Sequence, residues 1–522
     1  MRNGKIVLGA LVSLLMQNPS DAMGQGRDRY EQSFDYRFQT VAGLADGRNN
    51  ALWLNSNKQG LGFPETSGAY IRLAADGAVG TRGGFQLGYG ADAVVATDGM
   101  SGNLIHQLYA DLGYRWIRAS VGKKEYWGEL KNNQLSSGGL TWSGNSAPIP
   151  QVRIEIPEFV RLGILGGWFS VKGHIGYGWY TDGQWRTDQA MKYSQTASFT
   201  EGLLHHSKAG FLKVGNADRF PLEVTVGLEM YNQFGGTGHN VMRAVGESKQ
   251  NQLFEYYEFP DGLSAYIEAL LPFNGVGDQG DDNGNSLGSW HVAADLLLGD
   301  WKVRAYYEHF FEDHSSMLGI EYKNNLYGQK EFVSYGFRQN WMDGLYGLEL
   351  QTPDGFPVKG VVLELFNSRG MCGPVYRYTN PVILEGVDGR DGMYTNKIYN
   401  SYSNYGYSNG SPLLVSPVYN ADGDLRFKSN RALIYHLGVN GSIGKHLDWR
   451  VLLTTGKHWG TYEDPFNKVE RITSGMAEVI YRMDSAYGWN VGVALGADND
   501  SGTLLGDNKG VMITLSKIWN VL

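Results

Sequence analysis

A single cysteine, Cys372, stands in a chain of 522 residues. No intrachain disulfide can form, and no Cys-based metal cluster either. Past the extreme N-terminus no apolar run approaches the ~18 residues of a membrane-spanning helix. Positive charge is short as well: 45 Lys and Arg face 53 Asp and Glu, a formal charge of −8, which leaves no nucleic-acid footprint. Long Leu/Ala/Glu/Lys segments of helical period are missing. Beyond the spacing of strand-like segments, no repeat of fixed period is visible.

What is abundant is Gly (72), Tyr (32) and Trp (14), with Gly about twice its usual ~7%. Alternation of strand period recurs along the chain. Leu222, Val224, Val226, Leu228 and Met230 interleave with Glu223, Thr225, Gly227, Glu229 and Tyr231. Trp301, Val303, Ala305 and Tyr307 do the same with Lys302, Arg304, Tyr306 and Glu308. Soluble β-sandwiches alternate too, but these segments run about ten residues, enough for a tilted strand to cross a bilayer. The apolar sets often end on Trp or Tyr, as interfacial girdles do. Tight connections such as Gly299-Asp300 and 444–446 alternate with long ones such as 313–330, 458–472 and 499–509. The pattern predicts an all-β transmembrane barrel of about 16–18 antiparallel strands, with both chain ends in the periplasm, long extracellular loops and a lumen partly filled by loops.

The first 24 residues read as a cleaved secretory signal: Arg2 and Lys5, then an apolar run over 6–16, then small residues at Ala22 and Gly24. No cysteine lies near the cleavage site, so the exported chain is not expected to be a lipoprotein. Residues 25–67 are expected as an N-terminal periplasmic segment, with Leu52 to Phe63 packed at the periplasmic mouth, and 68–522 as the barrel. Near the C-terminus, Asn508, Gly510, Ile513 and Leu515 fit a strand-pairing signal for the barrel-insertion machinery.

Eight strings carry a more specific message. They are LWLNSNKQG at Leu52, LSSGGLTWSGNSAPIPQ at Leu135, the His-His-Ser-Lys run at His205 and GLEMYNQFGG at Gly227, followed by HFFEDHSSM at His309, DGLYGLEL at Asp343, SNR at Ser429 and GTYEDP at Gly460. In this order they resemble the Wzi family of capsule assembly proteins, in its Bacteroidetes branch, over nearly the whole chain after the leader. At Gly144-Asn145-Ser146-Ala147-Pro148 the sequence departs from the Asn-Ala-Arg-Pro form of that family. The resemblance implies a non-enzymatic, lectin-like protein of the Gram-negative outer membrane. Its partners would be capsular polysaccharide and outer-membrane lipid, including lipopolysaccharide. It implies no cofactor and no metal, and gives Gly138, Gly139, Pro148, Pro150, His309, Glu312 and Asp313 as structural motif residues. The alternative reading is a channel for oligosaccharides or other small solutes.

Sugar recognition asks for aromatic faces and planar polar groups, with Arg or Lys for acidic sugars. The run 393–410, MYTNKIYNSYSNYGYSNG, falls in the longest expected outside loop, 369–430, and offers Tyr394, Asn396, Lys397, Tyr399, Tyr402 and Tyr405. Trp142, Asn145, Trp185 and Arg186 are the candidates in other loops. His309, Glu312, Asp313 and His314 stand close enough in sequence for a metal or acid–base site. A charged strand end holding a loop is the favoured reading for a barrel rim.

Overall fold

The computed structural model describes residues 30–521, apart from short segments at 82, 98–103, 164, 246–249, 271–283, 313–319, 325–329, 335–341, 371–375, 379–385, 389–391 and 485–487. The signal sequence, Asp313, His314, Cys372 and nearly all of the acidic run at 275–284 lie outside the described residues. Eighteen strands form one antiparallel sheet. They are β1 (Tyr30–Asp46), β2 (Ser67–Thr81), β3 (Phe85–Ala96), β4 (Ile105–Tyr114), β5 (Ile117–Lys123), β6 (Pro150–Arg161), β7 (Phe169–Trp179), β8 (Leu204–Gly215) and β9 (Leu222–Phe234). The second half comprises β10 (Asn285–Leu298), β11 (Trp301–Glu312), β12 (Gly344–Gln351), β13 (Val358–Asn367), β14 (Ala432–Ile443), β15 (Leu447–Gly460), β16 (Pro465–Arg482), β17 (Trp489–Asp500) and β18 (Asn508–Asn520). Each strand pairs with its sequence neighbours, and β1 pairs with β18 from Asp35↔Asn520 to Asp46↔Lys509. The sheet is a closed barrel, so no edge is left exposed.

Alternation decides which side chains meet which solvent. Ile71, Leu73, Leu108, Leu112, Leu363, Leu453 and Leu495 point outward and are exposed, a greasy belt around the cylinder. Inward neighbours such as Arg72, Asp111, Glu364 and Thr454 are polar and buried. Phe85, Tyr114, Trp116, Trp301, Phe356, Tyr481 and Trp519 remain exposed near the termini-bearing end, forming an aromatic girdle at one membrane boundary. At that end no connection between strands exceeds seven residues; at the other they reach 64, over 368–431. In outer-membrane barrels the short-turn end is periplasmic and the long-loop end extracellular.

Three placements differ from the sequence reading. The barrel begins at Tyr30, not near residue 68. In β1 Phe34, Tyr36, Phe38 and Leu44 share the outward face and alternate with Asp35, Arg37 and Gln39, and only the short-side-chain stretch Thr40-Val41-Ala42-Gly43 blurs the pattern. Residues 47–66 connect β1 to β2 at the long-loop end, and Leu52, Trp53, Leu54 and Phe63 are buried inside the barrel rather than at the periplasmic mouth. The supposed long loop 458–472 is mostly strand, with a connection of only 461–464.

The lumen of an 18-strand barrel is wide enough to hold water. Here it is filled. Residues 50–63, 124–149, 180–203 and 392–431 fold inward and share one apolar core, which joins Trp53, Leu54, Phe63, Leu135, Leu140, Trp142, Tyr394, Tyr399 and Tyr402.

Candidate functional site

Irregular backbone inside a barrel carries amide groups that need partners. The wall supplies them. Glu308 on β11 accepts the Leu140 N–H at 2.8 Å, and Glu364 on β13 accepts the Ser137 N–H at 2.7 Å. Glu312 accepts the Tyr394 N–H at 2.8 Å, and Asp498 on β17 accepts the Leu52 N–H at 3.0 Å. Four inward carboxylates thus hold three separate plug segments by their backbones. His436 on β14 meets the Leu135 carbonyl at 2.8 Å. Next to it Gly438 has no alternative, because a Cβ there would lie 2.2 Å from the Leu135 oxygen. Gly138 takes φ +99°, a left-handed conformation suited to glycine. A Cβ on Gly139 would strike the Trp142 carbonyl at 2.4 Å. Pro150 opens β6, the one strand position where its missing N–H costs little.

Apart from Lys397, the expected sugar ligands belong to this plug, and the exterior placement of the 369–430 loop is corrected for its described part, 392–430. Trp142 stacks on Tyr231, ring centroids 5.1 Å apart, and its Nε1 donates to the Tyr126 carbonyl. Asn145 donates to Ser408 O and accepts from Asn57 N–H. Arg186 is fully buried, paired with Asp182 at 3.0 Å and donating to the carbonyls of Tyr399 and Ser403. Tyr394, Tyr402 and Tyr405 donate their hydroxyls to the carbonyls of Leu140, Thr141 and Thr181. Tyr399 is buried beside Phe259. Asn396 caps the backbone N–H groups of Ile398 and Tyr399. Trp185 is half-buried, its ring lying over Gly406. Lys397 alone of the ten is fully exposed, at 84%. Buried tyrosines of this kind must find partners, and here the partners are protein.

His309 and Glu312 do not form a site together. Odd and even positions of β11 face opposite ways. His309 Nδ1 meets the Asp343 carbonyl at 2.9 Å, while Glu312 points into the plug. The rim reading of this cluster, a strand end that holds loops, describes both contacts. His205 and His206 likewise sit within β8, His205 beside Trp142 and His206 beside Tyr177.

Among the described residues, two clusters bring three His/Asp/Glu donor atoms within 4.8 Å: Asp92–His106–Glu125 and Glu229–His291–Glu308. Each already contains a cation from the chain. Arg72 Nη2 lies 2.7 Å from Glu125 and Lys131 Nζ 2.6 Å from Glu308. Burial alone would raise the Glu125 carboxyl, but its hydrogen bond with His106 and the Arg72 charge hold it at about 2. A carboxyl held below its ordinary 4.5 stabilises the fold fully above that pH and less as pH falls toward 2. Glu125→Gln is therefore expected to flatten this part of the acid limb relative to wild type, read from thermal unfolding in detergent between pH 4.5 and pH 2.

Sequence reasoning missed a chamber of about 300 Å³ beneath the plug. Its roof is plug, at Lys58, Gln59, Leu61, Glu125 and Trp127; its walls are β1, β2 and the termini-side parts of β16, β17 and β18. A larger depression, about 470 Å³, lies on the outer wall between Leu348, Leu363, Tyr435 and Leu453, where hydrocarbon packs. The long-loop end also exposes Tyr193, beside Lys428, with Arg426 close by.

The closed cylinder, its outer apolar belt and its girdle define an outer-membrane β-barrel with a plugged lumen. No protein-family model matches the chain, and no curated protein does. Among solved structures it is similar to Wzi of Escherichia coli, an outer membrane protein involved in group 1 capsule assembly and described as a carbohydrate-binding β-barrel. That likeness has 13% identity and a TM-score of 0.53, covering 92% of this chain and 83% of that one. OccK5 (OpdH) of Pseudomonas aeruginosa aligns at 9% identity and TM-score 0.45, over 94% and 99% of the two chains. OccAB2 of Acinetobacter baumannii aligns at 9% and 0.46, over 94% and 98%. These likenesses concern the fold.

Proposed function

We propose that this protein is a Wzi-like, non-enzymatic lectin of the outer membrane that attaches or organises capsular polysaccharide at the cell surface. The observation that carries the reading is the plug. A solute channel needs an open lumen, and here the wall's carboxylates are bonded to loop backbone instead of water. The fold likeness to a carbohydrate-binding barrel and the ordered motifs of its Bacteroidetes branch support the same reading. Capsule would be met on the outer rim, where Tyr193, Arg426, Lys428 and Lys397 combine an aromatic face with cations. Individually weak contacts suffice there, because a long repeating polymer supplies avidity.

Deleting the gene is expected to leave polysaccharide synthesis intact and release the polymer into the medium. Immunoassay of cell-bound and shed fractions measures this. A deletion strain that keeps its capsule defeats the proposal.

A further inference from the structure

The chamber under the plug has one group with an unmet need. Lys58 projects from the 50–63 segment into it, and among the described residues its ammonium finds only the Met512 thioether, at 3.7 Å. The other charges lining the chamber are satisfied. Arg72 is held by Asp92 and Glu125, and Glu478, whose charge also reaches Lys58 across the chamber, is bonded to Arg450 at 2.7 Å. The uncommitted charge is thus positive, and it calls for an anion with oxygen acceptors.

The surroundings narrow the class. Trp127 is 38% exposed, with one ring edge packed on Gly144 and the remainder at the chamber. Gln39, Asn490, Thr514 and Ser516 present neutral amides and hydroxyls on the facing walls. A bare phosphate could accept from these donors but would leave the Trp127 face unused. An aromatic face with amides and hydroxyls matches a sugar ring, and the ammonium matches a carboxylate on that ring.

We propose that the chamber binds a uronic-acid residue of an acidic glycan, with Lys58 taking the carboxylate, Trp127 covering the ring face and Gln39, Asn490 and Ser516 taking hydroxyls. The lining reaches Ile480 and Asn490, close to the termini-bearing end, so the glycan enters from the side opposite the long loops. This deepens the carbohydrate-binding reading and rests on it, but it places a contact where surface loops play no part.

Calorimetry on the purified full-length barrel in detergent tests it, with digalacturonate and cellobiouronate as probes. Galactobiose and cellobiose are the neutral counterparts, and inorganic phosphate the bare anion. At least one uronate disaccharide is expected to bind, with its neutral counterpart and phosphate weaker by roughly tenfold or more. Lys58→Met should weaken uronate binding by a similar factor at unchanged melting temperature, and Lys58→Arg should retain it. Equal binding of the neutral sugars, equal binding by Lys58→Met, or no uronate binding by wild type overturns the proposal. The two readings fail separately. A chamber blind to uronates leaves capsule retention to the outer rim, whereas a deletion strain that keeps its capsule defeats the cellular role whatever the calorimetry gives.

Discussion

Glu308→Ala is expected to destabilise the barrel by about 3–5 kcal/mol, because it strands a buried lysine. Lys131 and Glu308 are both buried and 2.6 Å apart. The same carboxylate also accepts the Leu140 N–H at 2.8 Å and the Ser289 hydroxyl at 2.8 Å. Removing it leaves a cation and two donors without their acceptor in a water-poor interior. Glu308→Gln keeps an oxygen for Leu140 and Ser289 but loses the charge and turns an amide NH2 toward Lys131, so its cost should be smaller than that of Glu308→Ala, with the remainder lying in the broken ion pair. Adding Lys131→Met to Glu308→Gln should recover most of that remainder, since the pair is more costly to break than to delete. Thermal unfolding in detergent, and the temperature at which the barrel loses its compact migration in gels, give the ranking. If Glu308→Ala and Glu308→Gln melt together within error, the ion pair is not what anchors the loop at 135–150.

The barrel was legible because lipid and lumen impose opposite chemistry on alternate residues. The run from Leu222 to Met230 shows that rule in nine letters, and the connections at 299–300 and 444–446 show the short-turn end. Strand β1 obeys the same rule, with Phe34, Tyr36 and Phe38 between Asp35, Arg37 and Gln39, and is blurred only where Thr40-Val41-Ala42-Gly43 puts short side chains on both faces. The plug was not legible, for a different reason. A Tyr/Asn/Ser/Gly-rich run has the same composition whether its hydroxyls and amides meet water, sugar or protein. Tyr394, Tyr402 and Tyr405 meet backbone carbonyls, and nothing in residues 393–410 distinguishes that from an outside loop. A usable signal lay elsewhere, in the inward-facing acids Glu308, Glu312, Glu364 and Asp498. Carboxylates facing a wet lumen need no protein partner; these four each accept a plug N–H. The chamber was invisible for a similar reason. Lys58 and Trp127 are 69 positions apart, and only the folding of two connectors into one lumen brings them together.

Replacing residues 392–430 by a short Gly/Ser linker is expected to turn an electrically silent protein into a wide, conducting pore. The wall should survive. Its ladder is closed without this segment, and β13 pairs directly with β14 from Asn367↔Leu433 onward. In lipid, every strand bond broken would go unreplaced, which keeps the cylinder intact. The plug should not survive. Residues 140–147 lose the tyrosine hydroxyls of Tyr394 and Tyr402 and their bonds with Asn404, Ser408, Asn409 and Gly410. Arg186 loses both of its carbonyl partners in the excised segment and keeps only Asp182. What remains of 124–149 is then held by the wall and by 50–63, through Asn57, Gln59 and Gly60, and no longer by 392–430, around a lumen of pore dimensions. Planar-bilayer recording compares the two proteins directly. Wild type should show no steady conductance and the excised variant large, ohmic steps. A variant that still migrates as a folded barrel yet stays as silent as wild type would mean that other segments seal the lumen. Steady conductance by wild type would remove the ground on which the lectin reading is preferred to a channel.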